Sequence, residues 1–323
     1  MNMFDQKQVH PMLIGADSPA FDDPGYIFET KWDGERCIAY LDPSAGTELR
    51  NKRNDHMLIK VPELSHLHKQ VTKTCILDGE LMVLKDGKPN FYEIQRRSLM
   101  SNRFKIELAS RQYPASFIAF DILFLEGQDL TLLPLMERKK RLEACIGEET
   151  GRMAISRYVE ARGVDLYRIA EQQDLEGIVA KQKDSIYIPG KRTKDWIKIK
   201  NLKDDDFVVC GYIYKENNII SLVLGQYSGS ELVYKGHVTL GIDGESFRRI
   251  RETPPLNTPG FATIPPGNEH AVWIAPFLVC TVKFMDYMAN GSMRQPVFKG
   301  LRSDKLPTDC AVKADFPERI NMK

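Results

Sequence analysis

A polar, charged run at 201–206, NLKDDD, separates two strongly β-patterned blocks, and this seam points to a fold in two parts. The length agrees. At about 150 residues per domain, 323 residues make two domains, each able to bury a core without staples. Before the seam strands and helices mix. The strand candidates are YIFETKW (26–32), ERCIAYL (35–41), TCILDGELMVL (74–84), SFIAFDILFL (116–125) and EGIVAKQ (176–182), all rich in β-branched and aromatic residues. Helices are expected over 134–145, with proline near the first turn, and over 164–173, where Leu166, Ile169 and Ala170 share a face. After the seam FVVCGYIY (207–214), a turn at Asn217-Asn218, IISLVLGQY (219–227), ELVYKGHVT (231–239) and WIAPFLVCTVKFM (273–285) read as hairpin-like strands. One short helix interrupts them at 245–251. The expectation is an α+β domain over 1–202, a small β-barrel over 203–311 and a frayed tail over 312–323.

Composition narrows the class. Hydrophobic residues at 42% and charged residues at 28% exclude wholesale disorder. With 45 basic and 44 acidic residues the net charge is +1, so any surface for a polyanion must be local. No apolar stretch reaches the roughly 20 residues of a bilayer span, and MNMFDQKQVH lacks a signal-peptide core. Six scattered cysteines without a C-x-x-C pair read as reduced thiols, so the protein is expected in the cytoplasm.

The chemistry concentrates on charged residues inside apolar strands. There is no Walker loop, since Gly87-Lys88 runs into Pro89 and Gly190-Lys191 into Arg192, and there is no H-E-x-x-H, G-x-S-x-G or G-x-G-x-x-G. In YIFETKWDGER, alternation puts Glu29 and Lys31 on one face. They are either an exposed pair on an edge strand or functional groups, because a lysine within an apolar strand is costly. In KRTKDWIKIK (191–200), Trp196, Lys198 and Lys200 share a face; an anion would relieve the lysine repulsion, or the strand is a solvated edge. Glu80 and Glu176 end apolar runs as turn acids, or together they hold a hard divalent cation. Read jointly, three lysines and two carboxylates suit covalent nucleotidyl transfer. A free lysine is only about 0.1% neutral near pH 7.4, and nearby cations or desolvation make it a nucleophile.

These residues also carry a family resemblance. K-x-D-G-x-R (31–36), LDGEL (77–81), FDILFLEG (120–127), EGIVAK (176–181), DWIKIK (195–200) and MRQPVFKGLRSDK (293–305) follow in the order of the ATP-dependent DNA ligases and their mRNA-capping relatives. The stretches LDGELMVLKDGKPNFYEIQRR, IYIPGKRTKDWIKIK and R-x-P-x-F-x-G-L-R-x-D-K resemble the ligase domain of bacterial end-joining ligases of the ligase D type. The resemblance covers roughly residues 12 to 311. It implies a nucleotidyltransferase (adenylation) domain followed by an OB-fold barrel, which agrees with the two blocks.

The resemblance also implies roles. Lys31 attacks the α-phosphorus of ATP and carries AMP. Glu29 sits by the adenine and Phe120 stacks on it. Arg36 binds the ribose and helps at the nick, and Arg53 contacts phosphate. Glu80 reaches the ribose or a metal-bound water, Glu176 helps hold Mg²⁺ or Mn²⁺, and Lys198 and Lys200 contact the phosphates. Arg302, Asp304 and Lys305 orient the pyrophosphate, and Arg294 contacts DNA or anchors its strand. Nicked or broken duplex DNA is the implied partner. Two basic segments could meet it, one with Arg96, Arg97, Arg103 and Lys105, the other with Lys191, Arg192 and Lys194. The chain departs from the family at Lys52-Arg53-Asn54-Asp55, where S-R-N-G is common, and at Asp286-Tyr287-Met288, where E-W-T is common. It reads as a minimal stand-alone, monomeric ligase, with an end-binding protein as a further expected partner. The alternatives are an RNA ligase or GTP-using capping enzyme and, from another class, a non-catalytic nick-binding protein.

Overall fold

The computed structural model describes residues 2–85, 87–288 and 290–312. Two compact units divide between Asn201 and Leu202. The tail expected beyond 312 lies outside the described residues.

The first unit is built on two sheets. One runs in the order Leu13–Asp17, Arg192–Lys200, Gly177–Gln182, Asp23–Thr30, Tyr158–Ala161, parallel in its first pair and antiparallel thereafter. The other is antiparallel through Gly46–Asn51, Glu35–Asp42, Cys75–Lys85 and Ala115–Leu125. Alternation along Glu35–Asp42 explains why that strand is apolar almost throughout. Ile38 and Tyr40 join Phe120, Val179 and Trp196 in one core, while Cys37, Ala39 and Leu41 face another with Phe117 and Leu142. Helix Gly163–Gln172 covers the first sheet, bringing Leu166 and Ala170 against Phe28 and Ile178. Helix Leu135–Cys145 starts after Pro134 and, unusually, buries two cations, Arg138 and Lys139.

Two helices escape the sequence reading. Phe91–Leu99 and Arg103–Gln112 are begun by Asn90 and Asn102, whose side chains accept from Glu93 N and Lys105 N. Each buries only two side chains, so apolar periodicity was too thin to reveal them.

In the second unit Lys203–Tyr214 lies between Ile220–Ser228 and Val272–Phe284, with Glu231–Val238 and Val297–Arg302 outside them. A parallel bridge from Leu240 to Val297 links the two outer ends, as a barrel requires. Val209, Leu222, Leu224, Val238, Val282 and Phe298 fill its core, and helix Gly244–Arg251 adds Ile250. The expected turn is made by Asn217, whose φ of 58° suits asparagine. All six cysteines are free and buried. Among the described residues no helix is long and apolar enough to cross a membrane.

Candidate active site

Lys31 follows the strand Asp23–Thr30, which is flanked on both sides, so it does not leave an edge. Its N–H donates to Gly177 O at 2.9 Å, and Asn201 N–H donates to Glu176 O at 2.9 Å. This pairing sets Lys31 Nζ 2.5 Å from Glu176 Oε1. Gly177 has φ of 133°, and a Cβ there would lie 2.1 Å from Ile199 O; a Cβ at Gly34 would lie 2.1 Å from Leu81 O. Both positions therefore need glycine. The exposed Glu29–Lys31 pair is overturned, because Glu29 is 2% exposed and contacts Lys139 and Lys181 at 2.5 and 3.1 Å. The edge-strand alternative for the lysine strand fails as well, since Arg192–Lys200 lies between two neighbours.

Lys31, Glu29, Arg36, Glu80 and Phe120 line one pocket together with Trp32, Lys181 and Trp196. Asp78 clamps Arg36 through two hydrogen bonds of 2.6 Å, itself accepting from Tyr187 OH at 2.6 Å. The clamped guanidinium lies 4.4 Å from the Phe120 ring centre. Burial works against the Arg36 charge, but Asp78 outweighs it and holds the group above the ordinary arginine range. Lys181 Nζ packs 4.4 and 4.3 Å from the Phe120 and Trp196 ring centres. Trp196 Nε1 is buried without an acceptor, an open donor in the wall of a pocket.

Glu80 stands mid-strand in Cys75–Lys85, not in a turn. Burial pushes its carboxyl up to about 8; Arg36 and Lys31 pull it back while Glu176 adds to the rise. Two mutually repelling carboxylates fit a hard divalent cation. Among the described residues no group of three His, Cys, Asp or Glu could hold a metal ion. Lys198 contacts Asp17 at 3.1 Å, and burial, then Lys198 and Lys31, push the Lys200 ammonium down.

The loop at 51–55 keeps its turn without the family's serine and glycine. Asn51 Oδ1 accepts from Arg53 N and Asp55 N, and Asn54 takes φ of 69°, leaving Arg53 exposed. Lys191 and Arg192 are exposed, and Arg103 points outward beside Glu107. Arg97 does not fit its expected role in nucleic-acid binding. It is buried on helix Phe91–Leu99, donating to Lys60 O at 2.7 Å and pairing with Glu63 at 2.9 Å, so it is a core clamp. In the second unit Arg302 binds Asp304 through two hydrogen bonds, and Arg302 and Lys305 both contact Asp206. Arg294 pairs across from Asp286 in a two-residue ladder.

The sequence reading missed Asp78, Lys139, Lys181 and Tyr187. Lys181 had a signal, since it interrupts the apolar run EGIVAKQ as Lys31 interrupts its own. Lys139 had none, because it sits among the charges of MERKKR.

A nucleotidyltransferase domain followed by an OB-fold domain defines the class of this protein. The model for the ATP dependent DNA ligase domain matches residues 16–200, and that for the ATP dependent DNA ligase C terminal region matches 215–305. The chain belongs to the ATP-dependent DNA ligase family. The multifunctional non-homologous end joining protein LigD of Pseudomonas aeruginosa is 32% identical over 297 residues, 87% of this chain and 34% of the relative. LigD of Mycolicibacterium smegmatis is 30% identical over 325 residues, 95% of this chain and 41% of the relative. The chain thus spans well under half the length of these relatives. A mycobacterial DNA ligase D complexed with ATP and MES superimposes with a TM-score of 0.56 at 25% identity, covering 97% of this chain and 100% of that one.

Proposed function

We propose that this chain seals 5′-phosphate/3′-hydroxyl nicks in duplex DNA through a lysyl-AMP intermediate, with 1–202 as adenylation domain and 203–311 as OB-fold domain. The observation that carries the reading is Lys31, 2.5 Å from Glu176 in a pocket that also presents Glu29, Arg36, Glu80 and Phe120. The Lys31 amine, after losing a proton, forms a bond to the α-phosphorus of ATP as pyrophosphate leaves. Lys198 and Lys200 neutralise phosphate charge, and Arg302, Asp304 and Lys305 act on the pyrophosphate. The 5′-phosphate of the nick then displaces Lys31 from AMP. In the last step the 3′-hydroxyl displaces AMP and closes the strand. Arg53, Arg103, Lys191, Arg192 and Arg294 serve the DNA. Mg²⁺ or Mn²⁺ held at Glu176 and Glu80 would supply charge neutralisation at the phosphates. The protein acts in the cytoplasm on nicked or broken ends as a monomer, with an end-binding partner in repair.

The test is incubation with α-labelled ATP or GTP and Mg²⁺, followed by a denaturing gel. Label from ATP that is lost in Lys31→Ala and released by a nicked duplex is expected. Label from GTP alone would move the protein to the capping class. No label on nucleotide-free protein would leave only nick binding.

A further inference from the structure

Lys139 belongs to none of the motifs described above, yet it is among the least exposed side chains in the molecule. On helix Leu135–Cys145 it is 1% exposed, its Nζ stands 2.5 Å from Glu29 Oε1, and Tyr158 offers a ring centre at 5.6 Å. A lysine this deep is costly unless a charge answers it. Glu29 answers, but Lys181 reaches the same oxygen at 3.1 Å, so one buried carboxylate faces two ammonium groups. The two lysines differ in place. Lys181 and Glu29 line the pocket beside Phe120 and Trp196, whereas Lys139 reaches Glu29 without itself lining the pocket.

A carboxylate can only accept hydrogen bonds while it is ionised. Against the edge of a purine it therefore welcomes a 6-amino group and repels a 6-oxo group, provided that it stays charged and in one rotamer. Lys139 bears on both, as a buried cation 2.5 Å from Glu29 Oε1 on helix Leu135–Cys145. We propose that Lys139 is a positioning residue for nucleotide choice, holding Glu29 so that the pocket accepts a 6-aminopurine and rejects a 6-oxopurine. The inference rests on the lysyl-nucleotide reading above. Without Lys139, the Lys181 ammonium becomes the sole partner of Glu29. Its three donors then line the pocket with no second cation on Glu29, and donors suit a 6-oxo group. Burial first, and then Lys139 through like charge, push the Lys181 ammonium down against the pull of Glu29, in keeping with this crowding.

The experiment measures lysyl-nucleotide formation from α-labelled ATP and GTP in wild type, Lys139→Met, Lys139→Gln, Lys139→Arg and Glu29→Gln, alongside sealing of a pre-adenylylated nick. Lys139→Met is expected to lower the ATP/GTP ratio of kcat/KM at least tenfold, mainly through KM for ATP, with Lys139→Arg recovering most of it. Sealing of the pre-adenylylated nick should stay within about twofold of wild type. If Lys139→Met fails to fold, Lys139→Gln carries the same expectation. A purely structural lysine would lower labelling and sealing together and leave the ratio alone, which overturns the proposal. A ratio that collapses in Glu29→Gln but holds in both neutral Lys139 variants overturns it too. A ratio unchanged in Glu29→Gln removes the role of Glu29 beneath it, and no label in wild type strikes the ligase reading itself.

Discussion

Arg96 and Arg97 are neighbours in the sequence and opposites in the fold. The first side chain is 48% exposed beside Glu93, while the second is 1% exposed between Lys60 O and Glu63. Arg97→Ala strands the Glu63 carboxylate and should cost about 3 kcal/mol or more in urea unfolding. The salt dependence of nick binding should stay unchanged, since no phosphate contact is lost. Lys181 makes a different prediction. Its ordinary value of 10.5 is pushed down to about 8, by burial first, against the pull of Glu29. Between these values the unfolded chain holds a proton that the folded chain has released, so stability from this residue rises with pH and is lost as pH falls through about 8. Compared with Lys181→Met, wild type should gain on the order of 2 kcal/mol of unfolding free energy from pH 7 to 10. The sequence exposed Lys31 and Glu29 because they break an apolar alternation. It hid Arg97 and Lys139 because a helix with several basic residues does not reveal which of them turns inward.

Strands were the legible elements and capped helices the illegible ones. Alternation marked the core strands on both sides of Asn201, since packing against two faces demands β-branched and aromatic residues. Phe91–Leu99 and Arg103–Gln112 are defined at their starts by asparagine caps, a signal one residue wide. The acidic run used to place the seam proved structural as well. Asp206 is buried within Lys203–Tyr214 and accepts from Thr281 Oγ1 at 2.6 Å while holding Arg302 and Lys305. Asp206→Asn removes that anchor charge. The expected outcome is slower lysyl-AMP formation at an unchanged rate of sealing pre-adenylylated nicks, measured by single-turnover assays of each step. Equal slowing of both would mean that the barrel itself had been damaged.

For the molecule as a whole, the near balance of 45 basic and 44 acidic residues leaves no bulk attraction to DNA. Binding must come from local cations and should weaken linearly in log K against log salt. Lys191→Ala removes an exposed cation from the loop before Arg192–Lys200 and should reduce that slope by about 1 without altering stability. The order of motifs disclosed both the two-part architecture and most of the pocket, whereas the buried partners of Glu29 and Arg36 emerged only from packing. The close backbone approaches at Gly34 and Gly177 have a consequence for how such an enzyme can change over generations. Neither position carries a functional group, yet any side chain there collides with a carbonyl of a neighbouring strand. Laboratory evolution toward a new nucleotide or nucleic acid is free to wander among the residues lining the pocket, but every lineage must pass these two codons intact.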